Sequence, residues 1–181
     1  VSKLKAENIL REWAYENNKR SLLIIRPTVV YGPYNFGNVV NLIKQIDNNL
    51  FVRVGKGNNI KSVVYVENLV NTTIILFEKL ECGVKVYNLV DTPNYSVNNL
   101  ISIISNCLNT KVRFALPKYI IKFALLPFEI VFRITGRFKS YSFERLEKFT
   151  ASTHFHPRNL ENKGIKQKHT TEIGIQNTIK W

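Results

Sequence analysis

The apolar residues change their period several times along the chain, and each change marks an element. Across residues 2–18, Leu4, Ile9, Leu10, Trp13 and Ala14 recur at roughly helical spacing, and Asn17-Asn18-Lys19 closes the segment. Ser21-Leu22-Leu23-Ile24-Ile25 is instead a short continuous apolar run, the pattern of a strand buried on both faces of a parallel sheet. A loop with Pro27, Gly32, Pro33 and Gly37 follows, then a helix over about 38–47. Residues 51–54 and 62–65 read as short strands on either side of the Gly55-Lys56-Gly57-Asn58-Asn59 turn. A helix over about 67–80 precedes a second buried-strand run at 84–90, and Ser96 is a good N-cap for a helix reaching residue 108.

This alternation predicts an α/β fold with parallel pairing. The apolar strands need helices on both faces, yet few strands follow the opening helix, so the pattern describes part of a sheet. Residues 117–138 form the most apolar stretch. At 100° per residue, Lys118, Lys122, Glu129, Arg133 and Arg137 fall within an arc of about 100°, leaving about 260° apolar, wider than a surface helix needs. Pro127, opposite the charged stripe, is expected to kink or split this helix. The uncharged run 123–128 is too short to span a bilayer. Two readings stay open: two shorter helices capping a substrate site, or a segment lying in a membrane interface with its basic stripe towards headgroups.

Composition narrows the function classes. Net charge is +13, from 26 Lys and Arg against 13 Asp and Glu, which suits nucleic acid, an anionic membrane surface or a phosphate-bearing substrate. The basic residues are dispersed, with no basic run of five and no nucleic-acid-binding motif, so nucleic acid is set aside. Cys82 and Cys107 lack metal-like spacing and read as reduced thiols of a cytoplasmic protein. His154 and His156 would share one strand face but lack the further ligands a metal needs, so no metal is expected. Nothing marks secretion, and the chain contains no Met, which reads as a fragment or a processed product.

Three segments carry chemistry: Val1-Ser2-Lys3-Leu4-Lys5-Ala6-Glu7, Arg26-Pro27-Thr28-Val29-Val30-Tyr31-Gly32-Pro33, and Lys61-Ser62-Val63-Val64-Tyr65-Val66-Glu67-Asn68-Leu69. Pro27 turns the chain at the C-terminal edge of the first strand, where open α/β folds bind ligands. Gly37-Asn38-Val39 opens a helix whose free N–H groups suit a diphosphate. Gly55-Lys56-Gly57 is a turn, lacking the third glycine and the strand-turn-helix context of a dinucleotide fingerprint. By themselves these features also fit an ordinary helical lysine, a rigid loop exit and a capping asparagine.

Taken together the three segments resemble the C-terminal part of an extended short-chain dehydrogenase/reductase, the NAD-dependent sugar epimerase/dehydratase family. The resemblance is strong over residues 1 to about 100 and looser to Trp181. It implies that Lys3 is the lysine of a Tyr-x-x-x-Lys pair whose tyrosine stands just before residue 1. A lysine one turn from a tyrosine lowers the phenol pKa and suits a general base. The chain taken alone, without that tyrosine, is not expected to catalyse. The resemblance further implies that Lys3 is catalytic and holds the cofactor, that Pro27, Thr28 and Val29 line the nicotinamide, and that Asn38, Val39 and Lys61 hold a diphosphate. Lys61 stands where many members have arginine, and Asn68 where aspartate is common. NAD is expected ahead of NADP, and a homodimer is expected by analogy.

The implied division assigns 1–36 and 62–92 to the end of a Rossmann-like domain, and 37–61 and 93–181 to an interleaved, mainly helical substrate lobe. The implied reaction is C4 epimerisation of a diphosphate-linked sugar by transient oxidation. A dehydratase or reductase of the same family, or a non-catalytic remnant or assembly subunit, are the alternatives. The segments 37–46 and 55–62 resemble most the epimerases of bacterial surface-polysaccharide assembly, some of which act on polyprenyl-diphosphate-linked N-acetylhexosamine. That adds the inner membrane face to a cytoplasmic localisation and peripheral membrane contact through 117–138.

Overall fold

The computed structural model describes residues 2–112, 114–135, 143–157, 160 and 164–181. In chain order its elements are α1 (Ser2–Tyr15), β1 (Ser21–Pro27), β2 (Val29–Tyr31), α2 (Asn38–Asp47), β3 (Arg53–Val54), β4 (Ile60–Lys61), β5 (Val63–Tyr65), α3 (Val66–Glu78), β6 (Gly83–Leu89), β7 (Tyr95–Ser96), α4 (Val97–Leu108), β8 (Ala115–Leu116), α5 (Lys118–Thr135), α6 (Phe143–Thr150) and α7 (Thr171–Lys180). They fall into two compact units: residues 1–32, 62–93 and 155–174, and residues 33–61, 94–154 and 175–181.

In the first unit the two longest strands pair with each other. β1 lies parallel to β6, with Ser21 opposite Gly83 and Pro27 opposite Leu89. β2 lies parallel to β5, pairing Val29 with Val63 and Tyr31 with Tyr65. A core of Val64, Leu76, Tyr87, Leu89 and Leu160 forms between strands and helix, with Leu23, Ile25, Val30 and Leu69 packed on it. Each such side chain contributes about 1.5–3 kcal/mol on burial, which is why continuous apolar runs fold as interior strands.

In the second unit β3 lies parallel to β8 and β4 antiparallel to β7. α2 buries Val40, Ile43 and Ile46, and α4 buries Val97, Leu100, Ile101 and Ile104; the two helices pack together. The Ser96 hydroxyl accepts the Asn99 N–H at 3.2 Å, the capping bond its position predicts.

Three differences from the sequence reading stand out, and one part of it lies outside the described residues. The stretch read as a loop after Pro27 contains β2, too short for any periodicity to show. α5 is one helix of 18 residues with Pro127 inside it, so the loss of one backbone donor does not split it. Residues 136–138 of that apolar stretch, Arg137 among them, lie outside the described residues. Residues 154–157 form no strand, so His154 and His156 share no strand face.

Gly174, in the first turn of α7, packs on the tyrosine pair of the first unit. A Cβ there would lie 2.6 Å from the Tyr31 hydroxyl and 2.9 Å from Tyr65 Cγ. Both rings are fully buried and cannot retreat. Gly174→Ala is therefore expected to cost about 1–3 kcal/mol by overpacking, against a helix-propensity gain of about 1 kcal/mol. Urea denaturation checks this, and a more stable variant would refute the packing.

Candidate functional site

The C-terminal end of β1 is held by its neighbour. The Thr28 N–H donates to Leu89 O at 3.0 Å, and the Thr28 hydroxyl donates to the same carbonyl at 3.2 Å. Thr28 thus turns its side chain towards β6, while Pro27 and Val29 on either side of it are exposed. β2 then carries the chain inward to Tyr31. Gly32 follows at φ 150°, where a Cβ would lie 2.5 Å from Val66 Cγ1.

The Tyr31 hydroxyl lies 3.4 Å from both Asp91 Oδ2 and Thr171 O, and can donate to either. Burial, and then the Asp91 charge, push its pKa far up, so this phenol stays protonated and is no base. Asp91 is itself buried. Its Oδ2 accepts the Tyr65 N–H at 2.9 Å and its Oδ1 accepts Asn68 Nδ2 at 2.9 Å. Burial raises the Asp91 pKa, and the bonds from Asn68, the Tyr65 amide and Tyr31 oppose that rise.

Asn68 uses both halves of its amide. Nδ2 also donates to His169 O at 2.8 Å, and Oδ1 accepts the His169 N–H at 2.9 Å. Asn68 is therefore an internal tie beside Asp91. Outside this tie, His169 Nε2 lies 2.9 Å from Glu67 Oε2, and the Tyr65 hydroxyl donates to Glu67 Oε1 at 3.0 Å.

α1 reaches the same strand end through an ion pair. Arg26 Nε donates to Glu7 Oε1 at 3.0 Å, and its Nη2 donates to Glu7 Oε2. Hydrogen bonding to Arg26 lowers the Glu7 pKa, and the same bond raises that of Arg26. Lys3 precedes Glu7 by one helical turn, so both project from the face of α1 that meets the end of β1. The Lys3 side chain is exposed and makes no hydrogen bond or ion pair with another described residue. Lys3, Pro27 and Val29 are thus exposed on α1 and at the C-terminal end of β1, two elements that the Glu7–Arg26 pair joins.

The remaining candidates belong to the second unit. α2 starts at Asn38 after Gly37, with no side-chain capping bond and no acidic residue in its first turn. Its first amides and dipole are left uncompensated, a setting that favours an anion. Asn38 is exposed and Val39 half-buried. Lys61 ends β4 and donates from Nζ to Lys148 O, in the last turn of α6, at 3.0 Å. Burial lowers its pKa. Lys3, Pro27, Thr28 and Val29 thus share the first unit, and Asn38, Val39 and Lys61 share the second. Among the described residues no three His, Cys, Asp or Glu side chains group as metal ligands.

Reasoning from motifs missed Arg26, Asp91 and His169. The signal for Asp91 was a lone acid closing the apolar run Val84 to Val90. Arg26 and His169 act through partners 19 and 101 residues away, which no local pattern marks.

Comparison with known proteins bears on this geometry. The model of the 3-beta hydroxysteroid dehydrogenase/isomerase family matches residues 2–114. The chain is 37% identical over 182 residues to N-acetyl-alpha-D-glucosaminyl-diphospho-ditrans,octacis-undecaprenol 4-epimerase of Escherichia coli O157:H7, covering 99% of this chain and 55% of that protein. The fold is similar to dTDP-glucose 4,6-dehydratase from Bacillus anthracis in complex with NAD, at TM-score 0.61 and 15% identity over 96% of this chain and 48% of the other. It is also similar to RMD from Pseudomonas aeruginosa complexed with NADPH, at TM-score 0.65 and 14% identity over 99% and 51%. The chain spans about half the length of the relatives it matches. The expected class, part of a Rossmann-like parallel α/β fold, holds.

Asn68→Asp tests the tie. It places two carboxylates within hydrogen-bonding distance in a buried setting, so one must keep its proton in the folded state. A carboxyl pKa raised by folding means that stability is lost as pH rises from the unfolded value, about 4, towards the folded one. The variant should be about 2–3 kcal/mol less stable than the parent at neutral pH, with the deficit shrinking towards about pH 4.5. Urea denaturation across this range checks it; a deficit constant with pH would mean that Asn68 acts by packing alone.

Proposed function

The chain belongs to the 3-beta hydroxysteroid dehydrogenase/isomerase family, and on that premise we propose that it forms part of a nicotinamide-dependent epimerase inverting C4 of a diphosphate-linked sugar. The observation that carries this reading is the 37% identity over 99% of the chain with an enzyme named for 4-epimerisation of a polyprenyl-diphosphate-linked N-acetylglucosamine. The Glu7–Arg26 pair supports it, since it joins the Lys3 helix to the Pro27–Val29 turn within one unit.

When bound, the nicotinamide supplies a hydride acceptor that later returns the hydride. Lys3 holds the ribose hydroxyls, and its charge lowers the pKa of a neighbouring phenol that removes the C4 hydroxyl proton. Pro27 and Val29 offer apolar surface to the ring. Thr28 acts through its backbone carbonyl, because its N–H and its hydroxyl proton are both given to Leu89. The first turn of α2, from Asn38 and Val39, binds the diphosphate with its N–H groups. Lys61 adds charge with the protons it does not give to Lys148. The cycle opens with an oxidation and so needs the oxidised form of the cofactor; NAD is proposed ahead of NADP on the resemblance to NAD-dependent sugar epimerases.

Two partner surfaces belong to the same proposal. α1 exposes Leu4, Ile9 and Leu10, which suits a homodimer contact. α5 exposes Tyr119, Phe123 and Ile134, which suits peripheral contact with a membrane at its cytoplasmic face. Among the described residues no helix is long and apolar enough to cross a membrane. Lys118 and Lys122 both pair with Glu147, at 2.5 and 2.7 Å, holding that carboxyl down at about 2. Contact through α5 therefore rests on its apolar face more than on a free basic stripe.

The reading is tested by incubating the protein that carries this chain with NAD and N-acetylglucosaminyl-diphospho-polyprenol. The C4 epimer should appear, and Lys3→Ala should lower turnover about 100-fold or more while leaving the circular dichroism spectrum unchanged. A dehydrated sugar would instead support the dehydratase alternative. NAD binding without turnover would support a non-catalytic remnant.

A further inference from the structure

The proposed reaction leaves the carrier on the diphosphate open, and three aromatic residues of the second unit bear on it. Tyr34 is 80% exposed, Phe36 73% and Trp181 45%. Their rings still touch: Tyr34 and Trp181 have centroids 5.2 Å apart at 50°, and Phe36 meets Trp181 edge-on at 5.5 Å and 68°. Lys44 Nζ stands 6.0 Å from the Phe36 ring. Aromatic residues of this size normally contribute to stability by burial, and Tyr34 and Phe36 leave most of their surface in solvent.

The backbone points the same way. Tyr34 has φ 63°, a left-handed conformation that bulky residues rarely adopt. Strain of this kind persists where surroundings impose it, and here Asn35 Oδ1 accepts the Gly37 N–H at 2.6 Å. The result aims an exposed ring outward from the loop that leads into α2. Phe36 precedes Asn38, the start of that helix, by two residues.

Resting on the reading above, we propose that Tyr34, Phe36 and Trp181 form a platform for the first isoprene units of a polyprenyl diphosphate and so select a lipid carrier over a nucleoside. A diphosphate seated on the first turn of α2 would have its ester chain leave beside Phe36. The platform suits a branched hydrocarbon, because rings tilted by 50° and 68° present a faceted apolar surface. A flat nucleobase is better held by parallel faces than by this arrangement.

Trp13 and Trp181 are the tryptophans of this chain, so the fluorescence change that is lost in Trp181→Phe reports on Trp181. The protein that carries the chain, with and without that substitution, is titrated with farnesyl diphosphate, UDP, inorganic diphosphate and phosphatidylcholine vesicles, following Trp181 fluorescence and the heat of binding. Farnesyl diphosphate alone should shift or quench Trp181. Phe36→Ala and Tyr34→Gly should each weaken farnesyl diphosphate about tenfold and inorganic diphosphate less than twofold. Glycine suits the left-handed position, so Tyr34→Gly removes the ring without unfolding the loop.

An equal Trp181 response to UDP would overturn the proposal in favour of a nucleoside carrier, and a response to vesicles alone would overturn it in favour of bilayer contact. Unchanged farnesyl diphosphate affinity in both variants would overturn it too. Heat of diphosphate binding with a silent Trp181 would remove the platform but leave the epimerase reading standing. No heat with any diphosphate would remove both.

Discussion

The Asp91 carboxylate is buried beside donors from three other elements, and the position of the candidate cofactor edge follows from that arrangement. Two residues earlier, Leu89 O receives both the amide and the hydroxyl of Thr28. Asp91 then receives the amide of Tyr65, with the Tyr31 hydroxyl within reach. The short segment from Thr28 to Tyr31 is thus pinned at each end by the outgoing tail of β6. A three-residue strand has little capacity to hold its own register, so these side-chain bonds do what a longer ladder would do. The arrangement has an electrostatic cost, seen in the raised Asp91 pKa, and Asn68 limits that cost by donating to Asp91 while binding both backbone groups of His169.

The Glu7–Arg26 pair plays a different part. It is exposed, and exposed pairs contribute little to stability because solvent competes for both charges. Its importance is geometric. A guanidinium fork on a carboxylate fixes distance and direction together, which a single point charge does not. With Lys3 one turn away on the same helix, anchoring Glu7 fixes where the backbone of Lys3 sits relative to the end of β1. A side-chain contact of negligible stabilising effect can therefore set the geometry of the candidate catalytic lysine.

Legibility in the sequence followed the length of each signal. The four-residue apolar run Leu22–Ile25 announced β1 and the largely apolar stretch Val84–Val90 announced β6, while helical periodicity announced α1, α2, α3 and α4, with Ser96 marking a helix start to the residue. Strands of two or three residues such as β4, β7 and β8 have no period to read, since pairing partners alone define them. α6 and α7 went unseen for a related reason. Their ten or fewer residues carry few apolar positions, and α7 owes its place to contacts of Thr171 and Gly174 with tyrosines far upstream. Candidate site residues were legible where they lie in contiguous motifs. The partners that position them were not, because Asn68 with His169 and Lys61 with Lys148 are joined only by folding.

Lys61 shows how such a partner changes the chemistry of a site. An ammonium has three donors, and here one is directed to the carbonyl of Lys148 at the negative end of α6. Among the described residues the other two meet no partner, and they would serve oxygens of the proposed ligand. An arginine at this position would offer a rigid planar fork, and anchoring one arm to Lys148 would fix the direction of the other. Lysine therefore trades bidentate precision for adaptability. Its lowered pKa reflects partial burial that an incoming diphosphate would offset, because a neighbouring anion favours the charged ammonium. The same group thus becomes a better cation when its proposed ligand arrives, while its bond to Lys148 keeps it from swinging away into solvent.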